Sequence, residues 1–180
     1  MQRLLRQPGM FEQCIGNYDG PQGSAAFIEA LARMLGKHYG WDLSPEHIAL
    51  TNGSQSAFSV LFSLFAGECP DGVFRKILLP LTPEYIGYAD IGFSSSQALF
   101  TSVPPKIKFL SEHLFKYHVD FERLAIEPDI GAVCVSRPTN PTGNVLTGEE
   151  IRTLRTLTQN AGIPLITDGA YGLPFPGIVY

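Results

Sequence analysis

Apolar residues recur at helical spacing from Ser24 to Tyr39, where Phe27, Ile28, Leu31, Met34 and Leu35 fall on one face. A short extended run follows at His47–Thr51, and Asn52-Gly53 ends it with a turn signal. Ser54 or its neighbour is placed to cap a second helix through Phe58, Leu61, Phe62 and Phe65, which stops at Gly67. Lys76-Ile-Leu-Leu-Pro-Leu81 is continuously apolar after its first residue and predicts a buried strand. Ala98–Val103 and Ile130–Ser136 carry the same pattern. Phe115–Asp120 fits neither period, and Asp120 is placed to cap a short helix through Leu124. Thr147-Gly-Glu-Glu150 has the spacing of a capping box, ahead of an apolar face at Ile151, Leu154, Leu157 and Ala161. Gly162 ends that helix, and Ile163–Thr167 is the next strand.

Strands buried on both faces and separated by helices predict a three-layer αβα fold around a mostly parallel sheet. Such sheets bind ligands beyond the carboxyl ends of their strands. Attention therefore falls on the loops after Thr51, Leu81, Ser136 and Thr167.

Composition narrows the function classes. The 180 residues are 44% apolar and 17% charged, enough for a packed core and unlike a disordered chain. Thirteen basic residues against seventeen acidic ones give a net charge of −4 with no basic stripe, which argues against phosphate-led nucleic-acid binding. The longest apolar stretch, Ala57–Ala66, is interrupted by serines and is far short of the ~20 residues of a membrane span. Met1–Arg6 is basic, but no apolar segment follows as a signal peptide requires, so a cytoplasmic location is expected. Cys14, Cys69 and Cys134 are too widely spaced for a disulfide framework or zinc site, and the four histidines show no ligand spacing.

Each of the four loops has both a bland and a chemical reading. Asn52-Gly-Ser-Gln-Ser56 by itself favours a plain strand–helix turn over a helix N-terminus that holds a phosphate. Tyr85, in Thr82-Pro-Glu-Tyr85, suits ordinary packing or stacking on a planar ring. Two X-Pro bonds and a glycine stiffen Ser136-Arg-Pro-Thr-Asn-Pro-Thr-Gly143, either as a rigid turn or to aim Asn140. Asp168-Gly-Ala-Tyr171 sets a carboxylate just past an apolar strand, where burial without a partner is costly.

Taken in order, Asn140-Pro-Thr-Gly143 and the strand-end Asp168-x-x-Tyr171 resemble the fold-type I, pyridoxal-phosphate-dependent aminotransferases of class I/II. The likeness runs from Asn17-Tyr-Asp-Gly-Pro-Gln-Gly23 through Pro83-Glu-Tyr-Ile-Gly-Tyr-Ala-Asp90 to the end of the chain. It implies amino-acid and 2-oxo-acid substrates, and in particular transfer from valine or a similar donor to pyruvate. It also implies roles. Asp168 would pair with the cofactor's pyridine nitrogen, and Asn140 and Tyr171 would bond its ring hydroxyl oxygen. Tyr85 would stack on the ring, Gly53, Ser54 and Gln55 would hold the phosphate, and Tyr18 would reach the phosphate of a neighbouring subunit in a homodimer.

The family's cofactor-bearing lysine lies in a Ser-x-x-Lys segment beyond the Asp-x-x-Tyr motif. Here Lys37, Lys76, Lys106, Lys108 and Lys116 all precede Asp168. The 180 residues are therefore expected to be part of the cofactor-binding large domain. The N-terminal arm, the lysine segment and the small domain would be lacking, and the piece would be inactive alone. Two other classes fit less well. A ligand-sensing domain of a transcription regulator needs a basic helix-turn-helix, which the stretch before Tyr18 does not offer. A nucleotide-binding domain needs G-x-G-x-x-G or G-x-x-x-x-G-K-[ST], and neither occurs.

Overall fold

The computed structural model describes residues 6–91 and 97–172, which fall into two compact units, Met1–Asn52 and Gly53–Tyr180. None of the helices in the described residues is long and apolar enough to cross a membrane.

In the first unit, α1 (Met10–Ile15) buries no residue, and α2 (Ala25–Tyr39) is the helix the apolar spacing predicts. Ser24 leads into it with extended backbone, and Gly40 ends it in the left-handed conformation at φ 69°. Ile28 and Ala32, one turn apart, pack with Ile48 as a small core. The strand expected at His47–Thr51 is not formed. Pro45–His47 makes a 3-10 turn instead, with the Ser44 N–H donating to His47 Nδ1 at 3.1 Å. Proline's fixed φ suits the first position of such a turn. The following backbone finds partners in a loop: the Gln22 amide donates to Pro45 O and Ile48 O at 2.9 and 2.7 Å, and Leu50 N–H donates to Gln22 O at 2.8 Å.

The second unit is built on a five-stranded sheet. β2 (Phe74–Leu79), β6 (Ile130–Ser136) and β7 (Leu165–Asp168) run parallel in that spatial order. On the other edge of β2 lie β1 (Gly67–Glu68), antiparallel, and β3 (Phe100–Ser102), parallel. All seven residues of β6 are buried, because both faces of the sheet are covered. Ala132 and Cys134 pack on one face with Phe58 and Phe62 of α3 (Ser54–Phe65). Val135 packs on the other face with Leu154 of α4 (Gly148–Ala161). That is the three-layer arrangement the apolar runs predict.

Two local features fix the layers. The β2–β6 register steps from Lys76↔Ile130 to Ile77↔Ala132, so Gly131 is a bulged residue. A Cβ there would lie 1.6 Å from the Phe65 carbonyl oxygen, so only glycine lets the end of α3 approach the strand this closely. At α4 the capping box forms as read: the Thr147 N–H donates to Glu150 Oε2 at 2.7 Å, and the Glu150 N–H donates to Thr147 Oγ1 at 3.2 Å. A cap of this kind contributes roughly 1 kcal/mol.

The segment without a clear period turns out to be β5 (Leu114–His118), paired antiparallel with β4 (Lys106–Ser111) in a separate two-stranded ribbon. Every residue of β4 is exposed, so no buried face imposed an alternating pattern. The helix expected after Asp120 is a single turn, with the Arg123 and Leu124 N–H groups donating to Asp120 O. The approach to Pro128 disfavours continuing it.

Candidate active site

β6 and β7 end side by side, with Ser136 paired to Asp168 across the ladder. Beyond these ends lies a cleft of about 190 Å³. Ser54, Gln55, Tyr85, Asn140, Asp168 and Tyr171 all line it, so the structure gathers six of the eight residues singled out in the sequence. Gly53 is the N-cap of α3, next to Ser54. Tyr18 belongs to the first unit and is fully exposed.

Each residue reaches the cleft for a local reason. Ser54 and Gln55 open α3, and no side chain caps that helix. The N–H groups of a first helical turn have no partner within the helix, and the helix dipole adds partial positive charge there. Asn140 sits in the proline-stiffened loop after β6, with its Nδ2 3.4 Å from the hydroxyl of half-exposed Tyr171. Asp168 ends β7 with both oxygens engaged from the protein side: Tyr88 Oη donates to Oδ2 at 2.8 Å, and the Ala170 N–H donates to Oδ1 at 3.0 Å. A carboxylate oxygen accepts more than one hydrogen bond, so Asp168 can still take a cationic N–H.

Tyr85 owes its ring position to its neighbours. The ring stands edge-to-face on Tyr88, with centroids 5.4 Å apart and planes at 89°. It also folds back over Gly87, where a Cβ would come within 2.5 Å of Tyr85 Cε1. A side chain at position 87 would push the ring out of place.

Sequence reading passed over two residues of this site. Tyr88 is almost completely buried against Phe58 and Phe62, and its hydroxyl contacts Ser136 Oγ at 3.1 Å as well as Asp168. Burial pushes its hydroxyl well above the usual tyrosine range, so it remains a donor across working pH. Glu84 is the other. Its Oε1 accepts the Tyr85 N–H and its Oε2 the Ser136 N–H, both at 2.9 Å. Burial raises its carboxyl above the ordinary value, although the Ser136 and Tyr85 hydrogen bonds counter part of that rise. A carboxylate and a second tyrosine within Pro83-Glu-Tyr-Ile-Gly-Tyr88, at a strand end, were the available signal.

None of Lys76, Lys106, Lys108 and Lys116 lines the cleft. Lys76 pairs with Asp129 at 2.8 Å, and Lys116 Nζ donates to Val145 O at 2.6 Å.

A helix N-terminus, an aromatic ring, a paired amide and phenol, and a strand-end carboxylate thus meet around one cleft. The chain belongs to the aminotransferase class I and II family, whose profile matches residues 12–177. Among its relatives, the valine–pyruvate aminotransferase of Escherichia coli (strain K12) is 55% identical over 176 residues, which is 98% of this chain and 42% of that protein. The crystal structure of valine–pyruvate aminotransferase from Salmonella typhimurium LT2 superposes with a TM-score of 0.79 at 52% identity, covering 99% of this chain and 44% of that one. N-Succinyldiaminopimelate aminotransferase from Mycobacterium tuberculosis shares the fold at a TM-score of 0.67 and 26% identity, over 88% of this chain and 39% of that one. The chain thus spans about two fifths of the length of these relatives.

Proposed function

We propose that the whole protein transfers the amino group of L-valine to pyruvate, giving 3-methyl-2-oxobutanoate and L-alanine, with pyridoxal 5'-phosphate held in the cleft. The observation that carries this reading is the grouping of Asp168, the Asn140–Tyr171 pair and the start of α3 around one cleft. The 55% identity to a valine–pyruvate aminotransferase supports the choice of substrates.

The donor set suits the cofactor. An aromatic heterocycle with a protonated nitrogen, a ring oxygen and a phosphate needs an acceptor, donors and an anion site, in that order. Asp168 offers the acceptor, Asn140 and Tyr171 the donors, and the amides of Gly53, Ser54 and Gln55 with the Ser54 hydroxyl the anion site. When bound, the group supplies a cationic ring that can store the electron pair left by removal of an amino acid's Cα proton. The protein's part is to keep that ring protonated and oriented. Asp168 holds the proton at the pyridine nitrogen, with Tyr88 and Ala170 fixing the carboxylate. Tyr85, which lines the cleft, would stack on the ring and exclude water from that face. Asn140 and Tyr171 would donate to the ring oxygen, and Asn140 would also meet a substrate carboxylate.

Both units read as one part of a cofactor-binding large domain. A homodimer, in which exposed Tyr18 reaches the phosphate of the partner's cofactor, and a cytoplasmic setting complete the proposal. The test is a donor panel: the purified whole protein is given pyruvate with valine, aspartate or phenylalanine, and alanine is measured by chromatography. Valine should be the best donor. Equal or better alanine formation from aspartate or phenylalanine would replace the substrate assignment with another alanine-forming or aromatic aminotransferase. Failure to bind pyridoxal phosphate at all would refute the reading as a whole.

A further inference from the structure

Glu84 is a partly buried carboxylate that lines no part of the cleft, yet both of its oxygens are engaged by backbone N–H groups of residues that do line it. Oε1 accepts the N–H of Tyr85, at the start of the 3-10 turn Ile86–Asp90, and Oε2 accepts the N–H of Ser136, the last residue of β6. One carboxylate therefore ties the loop bearing the stacking ring to the strand end beside Asp168. Two methylene groups separate the carboxyl from the backbone at 84, so the tie is short, and hydrogen bonds at both oxygens hold it in place. From Ser136 the connection continues through its Oγ to Tyr88 Oη at 3.1 Å, and from there to Asp168 at 2.8 Å.

Resting on the cofactor reading above, we propose that Glu84 is a positioning residue whose two-oxygen backbone clamp sets the plane of the Tyr85 ring relative to the Asp168 carboxylate. Only a carboxylate meets the requirement. Both N–H groups need an acceptor, and glutamine would offer one of them an NH2 donor instead. Without the clamp, Tyr85 keeps its edge contact with Tyr88, but its backbone is no longer tied to the sheet. The ring then samples orientations tilted away from the face it would cover.

Glu84→Gln in the whole protein tests this, with Glu150→Gln as control. Glu150 is likewise a carboxylate accepting two backbone N–H groups, from Thr147 and Val119, but neither of those partners lines the cleft, whereas Tyr85 and Ser136 both do. Three quantities are read for each protein: the dissociation constant of pyridoxal phosphate, the visible circular dichroism of the bound cofactor, and the thermal unfolding temperature. Glu84→Gln should weaken cofactor binding roughly tenfold and reduce the visible dichroism. Glu150→Gln should lower the unfolding temperature with both cofactor readouts unchanged. Wild-type affinity and dichroism in folded Glu84→Gln, or the same losses in Glu150→Gln, would overturn the clamp.

Amide hydrogen exchange in the unaltered protein keeps the idea exposed to failure even if Glu84→Gln does not fold. The Tyr85 and Ser136 amides should both be protected in the absence of cofactor, and rapid exchange at either would overturn the clamp. A wild type that binds no pyridoxal phosphate would overturn the functional reading and this role with it. Intact wild-type binding together with an unaffected variant would overturn this role alone.

Discussion

Removing one hydroxyl, in Tyr88→Phe, tests how the site holds Asp168. The substitution preserves the ring and its contacts with Phe58, Phe62 and Tyr85, whose centroids lie 5.1, 5.4 and 5.4 Å away. What it deletes is a 2.8 Å hydrogen bond to a carboxylate and a 3.1 Å contact with Ser136 Oγ. A bond to a charged group is worth about 1.5–3 kcal/mol net and a neutral one about 1 kcal/mol. Asp168 is only half-buried, so water can take over part of the lost bond, and the total should come to about 2 kcal/mol. Urea unfolding, with a slope of about 2 kcal/mol per molar, should show the midpoint falling by about 1 M. A double-mutant cycle with Asp168→Ala then isolates the pair: Tyr88→Phe should cost about 1–2 kcal/mol less once the carboxylate is gone. A coupling of zero, with the full loss retained in the Asp168→Ala background, would show that the hydroxyl works through Ser136 and not through Asp168.

Three further outcomes are expected. Asp168→Asn in the whole protein should keep the cofactor bound but reduce transamination by several orders of magnitude, whereas Asn140→Ala, which removes a neutral hydrogen bond of roughly 1 kcal/mol, should cost far less; steady-state rates with valine and pyruvate decide it. Burial opposes the charge of Glu150, yet the Thr147 and Val119 N–H groups, the Thr147 hydroxyl and His118 outweigh it and hold the carboxyl below its ordinary value of 4.5. Its stabilising contribution is therefore intact above about pH 4.5 and is lost as pH falls through the folded value, so the stability gap between wild type and Glu150→Gln should be widest near neutrality and close in acid. Borohydride reduction in the presence of pyridoxal phosphate should fix the cofactor stoichiometrically on none of Lys76, Lys106, Lys108 or Lys116, as peptide mapping would show, because none of them lines the cleft.

Much of this architecture can be read from the chain, for identifiable reasons. β6 was legible because a strand covered on both faces must be apolar throughout, and α4 because its cap is chemically explicit in Thr147 and Glu150. The ribbon of β4 and β5 was not, since an exposed pair carries no burial pattern. His47–Thr51 misled in the opposite direction: its residues suit a strand, but no neighbouring strand among the described residues pairs with them, and Gln22 takes that place. In the cleft, residues whose chemistry faces a ligand stood out by type and loop position. Glu84 and Tyr88 did not, because their work is done through backbone amides and another side chain, and such contacts have no fixed spacing in sequence.

The crowding of the Tyr85 ring against Gly87 carries a consequence for divergence. The two positions cannot change independently: a methyl group at 87 and a large ring at 85 compete for the same volume, with 2.5 Å between the atoms concerned. Replacing the ring first, by a leucine for instance, would free position 87 for other residues, while the reverse order would pass through a displaced ring. Natural variants of this chain should therefore carry a side chain at 87 only where the residue at 85 is smaller than tyrosine, and a lineage that has filled position 87 should have given up ring stacking before it did so.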